Sequence, residues 1–148
     1  MIEVSAEQEI DASADAVWNV LTDLDHFGEW NPFIREAHGK TNVGGEVRVR
    51  VKPSLHVPLV FHASVTASQP GRELRWHGEV LSRWIARGDH VFAIEPLGEH
   101  RVRFVQRERF TGILPWLAGK LVAREARRGF AAMNRALDRR VHELEAGA

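Results

Sequence analysis

The feature that most constrains the fold is a change of periodicity near residue 111. From about Phe33 to Phe110, apolar residues alternate with polar ones, as in "EVRVRVK" (46–52), and this pattern predicts half-buried β-strands. From about Pro115 to Leu144, apolar residues recur at spacings close to three or four, which predicts one long amphipathic helix. Strands followed by a single long helix predict an α+β fold in which an antiparallel sheet covers the helix.

The residues before this region add one strand and two short helices. The segment "IEVSAEQEI" (2–10) alternates and predicts the first strand. The segment "DASADAVWNVLTDL" (11–24) predicts a helix with Ser13 as its N-cap, and "DLDHFGEWNPF" (23–33) predicts a second short turn or helix ended by Pro32. We therefore expect about seven strands wrapped around the C-terminal helix, in a single domain that spans residues 1–148.

Composition excludes several classes of function. The chain has 20 Lys plus Arg and 20 Asp plus Glu, and this zero net charge removes the broad electrostatic attraction on which nucleic-acid binding depends. It has no cysteine, which excludes disulfides and thiolate chemistry. Its eight histidines form no HxH or HExxH motif, so no metal site is predicted. The one basic cluster, Arg124, Arg127 and Arg128, is interpreted as a solvated face with Glu125 as a partner; the alternative is contact with an anionic ligand head group.

Targeting signals are also missing from the sequence. The first residues are acidic and alternating, unlike a signal peptide, and no apolar run approaches the length of a membrane span. We predict a cytoplasmic protein without stable membrane insertion, present as a monomer or weak homodimer.

The segment "GDHVFAIEPLGEHRVRFVQRERF" (88–110) predicts a hairpin whose buried face contains three polar residues, His90, Gln106 and Glu108. With a three-residue turn at 98–100, His90 lies opposite Glu108, close enough for a hydrogen bond between imidazole and carboxylate. A shift of one residue would bury arginines, which the cost of burying a charge forbids.

These three polar residues have two interpretations. In the functional one they contact a polar group of a ligand, and the pair of His90 and Glu108 is also a candidate general base for catalysis. In the structural one the pair only fixes the register of the two strands.

The order of elements and four segments resemble a known group of proteins. The segments are "AVWNVLTDLDHFGEWNPFI" (16–34), "GDHVFAIEP" (88–96), "FVQRERFTGIL" (104–114) and "RRGFAAMNRALDRRV" (127–141). They resemble the helix-grip fold of the START-like superfamily, also called SRPBCC, and in particular its polyketide cyclase/dehydrase-like branch. The resemblance implies an interior cavity for a small hydrophobic or amphipathic molecule, with no metal or nucleotide cofactor.

Small residues on the predicted inner faces, together with Gly129 on the long helix, favour an open cavity lined by aromatic rings. The segment "GILPWLAGKL" (112–121) is interpreted as a gate over its mouth or a membrane-touching patch; the alternative is a plain hydrophobic helix start. The predicted ligand contacts are Trp30, Phe33, Phe61, Ala63, Trp76, Gly78, His90, Phe92, Phe104, Gln106, Glu108, Leu121 and Met133.

Three functions follow from this fold. The first is binding of a small hydrophobic molecule for transport, sequestration or sensing. The second is a polyketide cyclase or dehydratase activity in which His90 and Glu108 move protons. The third is a protein-interaction module with a filled cavity. Apart from the hairpin cluster the inner faces are apolar, with no tyrosine in the chain, and this favours binding over catalysis.

Overall fold

Seven strands form one antiparallel sheet in the order β1-β7-β6-β5-β4-β3-β2. The computed structural model describes residues 1–52 and 58–147. The strands are β1 (Ile2–Ile10), β2 (Ile34–Gly39), β3 (Glu46–Val51), β4 (Leu59–Gln69), β5 (Glu73–Val80), β6 (Ala86–Gly98) and β7 (Arg101–Thr111). The sheet curls around the C-terminal helix, so the predicted α+β helix-grip architecture is confirmed.

Two short helices follow β1, as predicted. They are α1 (Ala14–Thr22) and, after a 3-10 turn, α2 (Phe27–Trp30). The Ser13 hydroxyl caps α1 by accepting a hydrogen bond of 3.1 Å from the backbone N–H of Ala16. This bond satisfies one of the donors that a helix leaves free at its first turn.

The C-terminal helical region is divided in two, whereas the sequence predicted one helix from about Pro115. The structure has a short α3 (Ile113–Leu117) and a long α4 (Gly119–Ala146). Between them Ala118 leaves the helical conformation, with φ −123° and ψ 37°. Periodicity does not reveal this break because the apolar spacing continues across it.

The core lies between the sheet and the second half of α4. Met133, Leu137 and Val141 on this helix belong to the same buried cluster as Phe92 and Phe104 of the sheet. This close packing closes one end of the space inside the sheet, and any cavity is therefore confined to the other end.

The β6–β7 hairpin has the predicted register, with His90 opposite Glu108. Its turn is one residue shorter than predicted, because Gly98 already pairs with Arg101. The register shifts between Pro96 and Gly98, as in a β-bulge. The extra residue in the bulge compensates for the shorter turn, which is why the predicted pairing holds.

Two glycines that were predicted to open the cavity are covered by aromatic rings. A Cβ built on Gly78 would lie 2.8 Å from the Phe61 ring, and one built on Gly129 would clash with the ring of Phe33. These glycines therefore let the two rings approach the backbone closely. The space left by their missing side chains is thus taken up by the rings, which themselves border the cavity.

A histidine links α4 to the chain that follows β1. Nδ1 of His142 lies 2.8 Å from the Asp138 carbonyl oxygen and 3.0 Å from its carboxylate, and Nε2 lies 3.1 Å from the Asp11 carbonyl oxygen. Only the protonated imidazolium can donate from both nitrogens. The hydrogen bond to the Asp138 carbonyl, with the nearby carboxylate, raises the pKa of His142 above its usual value of 6.5.

This raised pKa predicts a pH-dependent contribution to stability. A histidine whose pKa is higher in the folded chain than in the unfolded chain stabilises the fold when it is protonated. This stabilisation is fully present below the pKa of the unfolded chain, about 6.5, and is lost as the pH rises through the pKa of the folded chain. We expect the stability advantage of the wild type over His142→Gln, measured by urea denaturation, to be larger at about pH 5.5 than at about pH 8.5. The same replacement at the exposed His100 is the control. An equal advantage at both pH values would contradict the prediction.

Candidate functional site

A cavity of about 370 Å³ lies between the sheet and the first half of α4. It occupies the end of the sheet where β3, β5 and β7 finish and β4 and β6 begin. α3, the break between the helices and the start of α4 contribute Leu114, Pro115, Ala118 and Val122 to its wall. The wall is predominantly apolar, and its exceptions are His90, Glu108, Glu125 and Arg87.

Seven of the predicted contact residues line this cavity. They are Phe33, Phe61, Trp76, Gly78, His90, Glu108 and Leu121. The other six lie in the surrounding packing and not in the wall: Trp30, Ala63, Phe92, Phe104, Gln106 and Met133. Alternation identifies the inner face of a strand, but only one end of that face borders the cavity.

His90 is the central polar group of the wall. Its side chain is buried on β6, with Nδ1 2.7 Å from Glu108 Oε2 and Nε2 2.9 Å from Gln106 Oε1. Both ring nitrogens therefore have a partner on β7. The predicted contact between His90 and Glu108 is present, and Gln106 completes it from the other side of the ring.

The surroundings of Gln106 determine where the proton of His90 lies. The Gln106 side-chain amide nitrogen donates to Asn134 Oδ1 at 2.7 Å and faces the Phe130 carbonyl oxygen at 3.4 Å. This assignment directs the amide oxygen toward His90, so Nε2 of the imidazole must donate to it. Nδ1 of His90 then faces Oε2 of Glu108 at 2.7 Å.

Three aromatic rings hold the imidazole in place. The Phe92 ring stacks on it at 4.1 Å between centroids with an interplanar angle of 17°, and the rings of Phe130 and Trp76 lie at 4.9 and 6.1 Å. The cage therefore fixes the plane of the ring, so that its two nitrogens face Glu108 and Gln106.

The second oxygen of Glu108 is the open acceptor of the site. A Cβ on Gly88 would lie 2.8 Å from Oε1, so this glycine makes room for the carboxylate. Among the residues that the structure describes, Glu108 makes one ion pair, to His90 through Oε2. Oε1 is thus available to a hydrogen-bond donor within the cavity.

Sequence reasoning missed a second carboxylate in the cavity wall. Glu125 on α4 is buried, with 8% of its surface exposed, and lies 3.9 Å from Arg124 Nε. The predicted solvated face is therefore correct for the exposed Arg124, Arg127 and Arg128 but wrong for their partner. Glu125 lies four and eight residues before Gly129 and Met133, and this spacing was the signal for the inner face.

The described residues include no cluster of three His, Asp or Glu side chains that could hold a metal ion. Across residues 1–52 and 58–147, no helix is long and apolar enough to cross a membrane.

A protein family described as "Polyketide cyclase / dehydrase and lipid transport" matches residues 1–142. The chain belongs to this family. The match covers the whole helix-grip architecture, including the cavity wall and most of α4. The predicted resemblance to the polyketide cyclase-like branch of the START superfamily is thereby confirmed.

Solved structures share the fold of this polyketide cyclase family member at low sequence identity. A START superfamily protein from Mycobacterium smegmatis is 21% identical, with a TM-score of 0.79, over 96% of this chain and 98% of that one. The Zhui aromatase/cyclase from Streptomyces sp. R1128 is 16% identical, with a TM-score of 0.79, over 95% and 93%. Norcoclaurine synthase from Thalictrum flavum is 15% identical, with a TM-score of 0.73, over 97% and 95%. No curated protein sequence matches the chain.

Proposed function

We propose that this chain binds a small amphipathic molecule whose apolar body fills the cavity and whose hydrogen-bond donor meets Glu108 Oε1. The observation that carries the proposal is the position of this carboxylate at the wall of a predominantly apolar cavity, where Oε2 pairs with His90 and Oε1 is left open. A volume of about 370 Å³ lies within the range of small-molecule pockets. Family membership supports ligand binding as the general role.

Native mass spectrometry of gently purified protein tests this proposal. We expect a discrete added mass that disappears on denaturation, and extraction then identifies the molecule. A clean mass of the bare chain, with no thermal shift in the presence of fatty acids, sterols, quinones and aromatic polyketides, would contradict the proposal.

The interaction-module alternative is less well supported. It required a cavity filled by side chains, and the structure has an open one. An apolar surface does exist around α3, but it lies beside the cavity, and the cavity stays open.

A second candidate function is proton-transfer catalysis of the kind that a cyclase requires. The carboxylate of Glu108 is placed to accept a proton from a bound donor through Oε1, while Oε2 is held by the buried His90. The fold shared with an aromatase/cyclase and with norcoclaurine synthase supports this candidate.

Exchange of the acidic C1 protons of 2-tetralone in heavy water tests catalysis. In this reaction Glu108 Oε1 removes a proton from carbon to leave the enolate, and a deuteron from solvent then replaces it. Followed by NMR, the exchange should exceed the buffer rate by about a hundredfold if Glu108 is a general base. The Glu108→Gln variant should lose the acceleration. If 2-tetralone binds but exchanges at the buffer rate, the catalytic candidate fails and the binding proposal stands.

A further inference from the structure

Exposed apolar side chains form a patch beside the cavity. We name it the mouth patch: Leu81 and Trp84 from the loop between β5 and β6, and Ile113, Trp116 and Leu117 from α3. Their exposed fractions are 88%, 68%, 52%, 79% and 70% respectively. Isolated exposed apolar residues are ordinary, but a group that includes two tryptophans indicates an interaction surface.

The two segments of the mouth patch are joined to one another. The backbone N–H of Ile113 donates to the Trp84 carbonyl at 2.9 Å, and that of Leu114 donates to the Ile85 carbonyl at 2.9 Å. Both segments also continue into the cavity wall, through Ala86 on one side and Leu114 on the other. The patch therefore borders the cavity opening.

One residue of the patch is held in an unfavourable backbone conformation. Leu81 has a φ of 68°, in the left-handed region that non-glycine residues avoid, while its side chain is almost fully exposed. The fold thus presents a large apolar side chain to the outside without packing it against the core. Such strain is a common property of binding segments.

The two segments that form the patch carry charge of one sign. Residues 80–87 and 111–124 contain Arg83, Arg87, Lys120 and Arg124 and no Asp or Glu, although the whole chain has zero net charge. The Arg83 guanidinium carbon lies 5.0 Å from the centre of the Trp84 ring. Tryptophan beside arginine and lysine is the composition that favours a membrane–water interface with anionic lipids.

We propose that the mouth patch docks on the surface of a bilayer that contains anionic lipids. Trp84 and Trp116 enter the interface, and the basic side chains face the lipid phosphates. A second copy of the chain is a poorer occupant, because a symmetric contact would bring the basic residues of both copies together. Docking stands independently of the proposed ligand, whereas passage of a ligand between bilayer and cavity rests on the proposed function.

Sedimentation with lipid vesicles tests the docking. Vesicles of phosphatidylcholine with about 30 mol% phosphatidylglycerol are compared with pure phosphatidylcholine, at low and high salt. We expect the wild type to bind the anionic vesicles more strongly and to be released by salt. The double variant Trp84→Ser/Trp116→Ser should bind them about tenfold or more weakly.

The matched control is Val43→Ser/Leu97→Ser, which removes two exposed apolar side chains at the opposite end of the sheet, one from the loop between β2 and β3 and one from the end of β6. It should bind vesicles like the wild type, and circular dichroism should show that both double variants remain folded. Wild-type protein that binds neither kind of vesicle would overturn the proposal, as would equal binding by the tryptophan variant. A dimer in sedimentation equilibrium that the tryptophan changes dissociate, without vesicle binding, would assign the patch to a second copy.

Discussion

Replacing Glu108 by glutamine is expected to weaken the binding of a donor-bearing ligand by about tenfold to a hundredfold, because a hydrogen bond to a charged group contributes about 1.5–3 kcal/mol. Isothermal titration calorimetry with 2-naphthol measures the change. The fold should tolerate this variant, with a loss of stability of about 1 kcal/mol or less. A neutral His90 can accept a hydrogen bond from the new amide through Nδ1 and still donate to Gln106 through Nε2.

Two controls isolate the effect of the carboxylate. The methyl ether 2-methoxynaphthalene keeps the apolar body of the ligand without the donor, so it should bind the wild type and the variant equally. Glu95→Gln makes the same chemical change at an exposed residue of β6, which pairs with Arg103 at 3.7 Å, and should leave both ligands unaffected. If Glu108→Gln instead unfolds the chain while the remaining folded protein binds 2-naphthol normally, the pair with His90 is structural.

The fold was predictable because its periodicities are strong and its turns are clear. Alternation together with an assumed three-residue turn placed His90 opposite Glu108, and a shift by one residue would have buried arginines of β7. The two-residue turn and the bulge before it were not predictable. The bulge adds one residue to β6 and the turn is one residue shorter, so the pairing of the strands is the same as with a three-residue turn. The break at Ala118 is equally invisible, since it depends on the backbone angles of a residue that suits a helix well.

The site was predictable only in part, because a cavity is a property of volume and not of pattern. The inner faces were identified, but Phe92 and Phe104 lie in the packed half and Phe61 in the open half of the same sheet. A glycine adds to the cavity only where no neighbouring side chain fills the space beside it. The ring of Phe33 fills the space beside Gly129. Glu125 was missed because an acidic residue among arginines resembles an exposed ion pair.

The second large effect is expected from Gln106→Leu, which should lower the free energy of unfolding by about 2–4 kcal/mol. Gln106 is fully buried and bonds both to Nε2 of His90 and to the side chain of Asn134. A leucine of similar size keeps the packing but leaves two buried polar groups without a partner, at a cost of about 1–3 kcal/mol each. Urea denaturation measures the loss, and Gln69→Leu at the exposed end of β4 is the control.

A double-mutant cycle with Asn134→Leu separates the hydrogen-bond network from packing. The Asn134 side-chain nitrogen is itself buried without a hydrogen-bond partner among the described residues, so Asn134→Leu removes one unsatisfied donor. The same change takes away the oxygen that accepts the hydrogen bond from the Gln106 side-chain nitrogen. Combining the two changes removes both polar partners at once, and the double variant should therefore be more stable than the sum of the single losses predicts, by about 1 kcal/mol. Strict additivity would show that the hydrogen bond between Gln106 and Asn134 contributes nothing to the stability. A positive coupling would establish that the hydrogen bond from Gln106 to Asn134 on α4 stabilises the chain, and with it the orientation in which the Gln106 oxygen faces His90.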